Sequence, residues 1–95
     1  MLAHGLALQQ EMKLPRSIKV IEKRLGRERA AGIVYPDSID TIHIDPLLKA
    51  HDSLEILLHE SMHLLLPDCP EMKVRAYSMR LQKLLWKDGW RRIQH

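Results

Sequence analysis

The chain has 95 residues, 45% of them hydrophobic and 28% charged, with a formal net charge of +3. That is the size and balance of one small globular domain, and it excludes an intrinsically disordered chain. No apolar run approaches the roughly twenty residues of a membrane span, and the N-terminus lacks the charged start and continuous apolar core of a signal peptide. The single cysteine, Cys69, rules out an internal disulfide and suits a reducing compartment, so a cytoplasmic location is expected.

Residues 1–11 are rich in Ala, Leu and Gln and read as an N-terminal extension, either a short helix or a frayed end; residues 12–95 read as the domain. The positive charge is concentrated between Lys13 and Arg29, where Lys13, Arg16, Lys19, Lys23, Arg24, Arg27 and Arg29 face only Glu22 and Glu28. A nucleic acid or an acidic partner is one reading of this run, but it has no interleaved aromatics, and a solvated strand and turn is the other.

From Ser17 the pattern is that of a strand, with Ile18 and Val20 on one face and Lys19 and Ile21 on the other. Ala31 to Tyr35 reads as a second strand, stopped by the turn-forming Pro36-Asp37-Ser38. Ile39 to Asp45 is the clearest strand, placing Ile42 and Ile44 on one face and Thr41, His43 and Asp45 on the other. The expected sheet is small, three-stranded and mainly antiparallel.

After Asp45-Pro46, residues Leu47 to His51 read as a short helical turn, and Asp52 or Ser53 as the cap of a longer helix. Within it comes Leu57-Leu58-His59-Glu60-Ser61-Met62-His63-Leu64-Leu65-Leu66. Residues four apart on a helix lie one above the other, so the imidazoles of His59 and His63 reach one zinc ion from the same face. Glu60 lies about 100° round the helix from His59, beside the ligands, where it can take a proton from a water on the metal. The bland alternative is a pair of polar residues on the solvent face of an amphipathic helix.

Pro67 ends this run, Asp68-Cys69 leaves room only for a tight reversal, and Pro70 opens a second helix to about Lys87, with Gly89 near its end. Val74, Tyr77, Leu81, Leu84 and Leu85 are expected to face inward, with Trp86 and Trp90 over an edge of the core. A hydrolytic zinc site needs a third protein ligand and an open position. Glu71 is the better candidate and Asp68 the other, although Asp68-x-x-Glu71 also has the form of a capping box that serves only the helix end. Cys69 as a fourth ligand would close the site and make it structural. His43 is a candidate for assisting substrate or else an exposed strand histidine.

The order of these elements, with Ile-Asp-Thr-Ile-His-Ile-Asp, then Leu-Leu-His-Glu-Ser-Met-His-Leu-Leu-Leu, then Pro-Glu-Met-Lys-Val-Arg-Ala-Tyr, resembles the compact zincin metallopeptidases. It is most similar to small bacterial and phage proteins of the ImmA/IrrE kind, and more loosely to SprT-like and minigluzincin domains. The resemblance covers roughly residues 18–85. It implies an α+β fold with a sheet above an active-site helix, zinc on His59 and His63, Glu60 as general base, and Glu71 as third ligand. Tyr77 and His43 are the candidates for stabilising the oxyanion.

The activity implied is zinc-dependent hydrolysis of a peptide bond, with a peptide or protein substrate added as a strand along the Ile39 to Asp45 edge. Two other classes fit parts of the sequence: a zinc-stabilised domain that binds protein or peptide without cutting it, and a small basic nucleic-acid-binding module carrying the motif by chance.

Overall fold

A computed structural model of the chain describes residues 15–27 and 30–93. The expected 1–11 extension lies outside the described residues. The elements are β1 (Lys19–Glu22), β2 (Gly32–Ile33), β3 (Thr41–Ile44), α1 (Ala50–Leu65) and α2 (Glu71–Lys87), an α+β arrangement. No helix of the described residues is long and apolar enough to cross a membrane.

The sheet is mixed rather than mainly antiparallel. Its order is β1-β3-β2; β1 runs parallel to β3 with Lys19 opposite Thr41, and β2 runs antiparallel to β3 with Gly32 opposite Ile44. The contacts that accompany this order lie just beyond the ends of the strands. Lys23 N–H donates to the Ile44 carbonyl at 3.0 Å, and the next step of the chain is caught by Asp45, whose Oδ2 accepts from Leu25 N–H at 3.1 Å. Leu25 itself is fully buried. The chain is thereby carried past the end of β3, and it returns on the far side, where Asp45 N–H donates to the Ala31 carbonyl at 3.0 Å.

This topology makes β3 the central strand, flanked on both sides. It cannot be the edge along which a peptide adds, because its backbone groups are already used by β1 and β2. Among the described residues, the open edges of this sheet belong to β1 and β2.

The alternation in β3 sorts its side chains as its sequence dictates. Ile42 and Ile44 have no exposed surface, and together with Leu25, Leu64 and Val74 they form the buried apolar core. In β1, by contrast, both faces remain open, with Val20 and Ile21 each more than two-fifths exposed. α1 packs on the β2–β3 side of the sheet and α2 packs on α1. Arg92, beyond α2, reaches back to β1 through Glu22 at 2.7 Å.

α1 starts earlier than its capping residues suggest. Asp45 accepts from Leu47 N–H through Oδ1 at 2.9 Å, so the chain turns at once after β3, and Lys49 becomes the N-cap without a side-chain bond. Asp52 then falls in the first turn and Ser53 is buried instead of capping. At the far end of α2, Gly89 has φ +94°, and the N–H groups of Gly89 and Trp90 donate to the carbonyls of Trp86 and Leu85. A left-handed residue of this kind satisfies the last carbonyls of a helix, which is why glycine stands there.

The inward face of α2 holds Val74 as expected but otherwise differs. Val74, Ser78 and Gln82 are buried, whereas Tyr77, Leu81 and Leu84 are each more than two-fifths exposed. Positions 71, 74, 78, 82 and 85 share one side of a helix of 3.6 residues per turn. The helix is therefore turned so that Glu71 and this partly polar stripe face α1, and the apolar row at 77, 81 and 84 lies to one side.

Candidate metal centre

The site is made where α1 stops and α2 begins. Pro67 has no N–H to give to the carbonyl four residues back, so the helix cannot continue through it. Leu66 adopts a non-helical conformation, and Cys69 N–H donates to the Leu66 carbonyl at 3.0 Å, closing a tight reversal. Pro70 is the N-cap of α2 and makes no side-chain cap bond. The capping-box alternative for Asp68 and Glu71 is thus not formed, and the Glu71 side chain turns toward α1.

That reversal sets His63, in the last turn of α1, against Glu71, in the first turn of α2. Both placements suit the helix dipoles, since positive charge is favoured at a helix C-terminus and negative charge at an N-terminus. His63 Nε2 lies 3.0 Å from Glu71 Oε2, and His59 Nε2 lies 3.1 Å from Glu71 Oε1. The two Nε2 atoms are themselves 3.1 Å apart, with the rings edge to face at 71°.

Two arrangements satisfy these groups: each imidazole donates its Nε2–H to the nearer Glu71 oxygen, or all three side chains turn lone pairs on one cation. Donor atoms about 2.0–2.1 Å from a tetrahedral zinc ion stand roughly 3.3 Å apart, so the separations of 3.0–3.1 Å fit such a group. Among the described residues His59, His63 and Glu71 form the one group of this kind, with donor atoms all within 4.8 Å of one another. Two imidazoles and a carboxylate are a donor set that suits zinc.

Exposure rises across the group, from 19% at His59 to 35% at His63 and 48% at Glu71. His59 is the most enclosed of the three and Glu71 the most open to solvent. Arg75, one turn along α2, approaches Glu71 Oε1 at 3.4 Å from the solvent side.

No protein-family model, curated protein or solved structure matches this chain.

Glu60 is half-buried on the sheet side of α1, its Cγ 3.3 Å from where a Cβ on Gly32 of β2 would stand. Burial pushes its carboxyl above the ordinary glutamate value. Charge on His59 and His63 opposes that shift, and the Glu71 carboxylate adds to it. A carboxylate raised in this way binds and releases a proton closer to neutrality, as a general base requires.

The other candidates stand apart from this group. Ile33 is paired with His43, and Gly32, on the opposite face, approaches Ile56 and Glu60, so the His43 side chain points away from α1. There it meets the Tyr35 ring edge-on at 4.9 Å, and Lys23 Nζ donates to the Tyr35 hydroxyl at 2.8 Å. Tyr77 lies about 120° round α2 from Glu71 and is largely exposed. Asp68 is exposed in the reversal, and the half-buried thiol of Cys69 is not among the clustered donors.

Gly32 is the residue that sequence reasoning passed over. Its signal was present, because a glycine inside a strand pattern often marks a close approach of another element. Arg75 had a signal too, in its i,i+4 spacing from Glu71.

Proposed function

We propose that this chain is a zinc-dependent metallopeptidase of the compact zincin type, with His59, His63 and Glu71 holding the ion and Glu60 acting as general base. The observation that carries the reading is the convergence of two imidazole nitrogens and both oxygens of one carboxylate, with a raised carboxyl next in sequence. Cys69 outside the donor group argues against a closed structural site.

A zinc ion held there supplies Lewis acidity, polarising a scissile carbonyl and easing deprotonation of water. The remaining work falls to the chain itself. Glu60 accepts a proton from the attacking water on its carboxylate and delivers it to the nitrogen of the leaving amine. Its half-buried position keeps that proton from bulk solvent between the two steps. Glu71 contributes negative charge at the solvent side of the group, and the helix N-terminus beneath it offsets part of that charge.

Substrate is held along β2, the open edge nearest Glu60, rather than along β3. Asp45 N–H donates to the Ala31 carbonyl, and hydrogen-bonded and non-hydrogen-bonded pairs alternate along an antiparallel ladder. Gly32 therefore directs its own N–H and C=O away from β3, toward that open edge. A peptide held by main-chain bonds there is read with little side-chain preference.

The test is zinc content together with cleavage of an unfolded protein. The wild-type chain should bind close to one zinc and cut; Glu60→Gln should keep the zinc and lose cleavage; His59→Ala should lose both. A Glu60→Gln chain that cuts at the wild-type rate sinks the reading.

A further inference from the structure

Gly32 sits in an unusual place for a residue without a side chain. It belongs to β2, where glycine is a poorer strand residue than alanine, so strand formation alone does not favour it. Its Cα faces α1. A Cβ built on it overlaps Ile56 Cγ2, stands 3.3 Å from Glu60 Cγ, and makes only ordinary contact with the His43 carbonyl at 3.5 Å. Ile56 and Glu60 are four apart and lie on one face of α1, so Gly32 is seated in the notch between them.

The same residue has its polar groups pointing the other way. Paired with Ile44 between the hydrogen-bonded positions, it offers its N–H and C=O to the open edge of the sheet. Gly32 thus combines two roles at one Cα. Its missing side chain lets β2 descend onto α1 beside Glu60, and its backbone presents a donor and an acceptor at that height.

We infer that Gly32 is a positioning residue that sets the height of the β2 edge over Glu60, so that a peptide main chain paired with it lies within reach of the His59–His63–Glu71 group. The inference rests on the peptidase reading above and deepens it, by assigning the depth of the substrate strand to one absent side chain. An added methyl group must lift β2 or displace Ile56. Lifting β2 raises the edge away from Glu60 and leaves His59, His63 and Glu71 in place, because those three are positioned by the α1–α2 reversal and not by the sheet.

Two hydroxamates separate this role from a general packing role. Acetohydroxamate probes the metal alone, whereas a short peptide hydroxamate binds the metal and also extends along the edge. With zinc-loaded protein, Gly32→Ala should bind acetohydroxamate as the wild-type chain does. It should bind the peptide hydroxamate about tenfold more weakly, the size expected for two lost main-chain hydrogen bonds. Ile56→Ala removes the methyl group that the new Cβ meets, so Gly32→Ala combined with Ile56→Ala should recover most of the peptide affinity. Equal affinity of Gly32→Ala and wild type for the peptide probe overturns the inference and leaves the metal reading standing. So does a Gly32→Ala defect that Ile56→Ala fails to relieve in a folded, zinc-loaded protein. If neither probe binds wild type in a zinc-dependent way, the metal reading fails, and the inference falls with it.

Discussion

His63 Nε2 and Glu71 Oε2 lie 3.0 Å apart across a reversal made by residues 66–70. One of these residues closes a helix and the other opens the next, so their approach is fixed by the turn between them. If the group holds zinc, Glu71→Ala should weaken binding far more than Asp68→Ala, whose side chain is exposed and outside the cluster. Zinc at a hundred times its dissociation constant should add at most about 2.7 kcal/mol to the stability of wild type, the limit reached when the unfolded chain binds none. Thermal melts with and without chelator read this directly, and an equal loss in both variants would dismiss Glu71 as the third ligand.

Glu60 gives a second test, in the metal-free chain. Burial raises its pKa, so in the window between the ordinary glutamate value and the raised one the folded state binds more protons than the unfolded state. Stability contributed by this group therefore falls as pH rises through that window. Metal-free Glu60→Gln should melt at or above wild type at neutral pH, with the difference vanishing below the ordinary glutamate range. A variant less stable than wild type only at neutral pH would show the charged form to be favoured in the fold.

Asp45 has the opposite sign. Its carboxylate accepts from Leu47 and Leu25 N–H, which hold its pKa below the ordinary aspartate value. Stability from this group is present above the ordinary value and is lost as pH falls through the lowered one. Asp45→Ala should lower the melting temperature at neutral pH and flatten its acid limb. Because the bond to Leu25 steers the chain past β3, hydrogen exchange in β2 should rise more than in α2. Uniform protection across both elements would refute that role.

Gln82 is buried on the inner face of α2, and its Nε2 has no hydrogen-bond partner among the described residues. An unmet buried donor costs about 1–3 kcal/mol, so Gln82→Leu should stabilise the chain by roughly 1 kcal/mol. For a domain of this size that is a rise in melting temperature of about 4–8 °C. A lower melting temperature would mean that the amide is satisfied in solution.

What the sequence made legible was local. His59 and His63 meet because four residues make one helical turn, and Glu71 joins them because Pro67 and Pro70 leave no room for a longer path. The direction of the strands was not legible, since alternation in residues 18–21 and 39–45 looks the same in parallel and antiparallel sheets. What accompanies the parallel pairing is a contact between distant residues, Asp45 holding the Leu25 N–H from twenty residues away. The rotation of α2 was hidden for a related reason. Tyr77, Leu81 and Leu84 are the more apolar row, yet Ser78 and Gln82 are buried because they share a face with Val74 and Glu71.

All three clustered donors come from residues 59–71, a single helical hairpin that needs no strand to be complete. Closing so short a segment costs little chain entropy, and helical hairpins form early compared with parallel strand pairs. An ion bound there would act as a local cross-link before the sheet exists. It would then favour the hairpin in the unfolded ensemble as well as in the native state, so stabilisation at equilibrium would understate the affinity of the site. Its larger effect would be on the rate of folding.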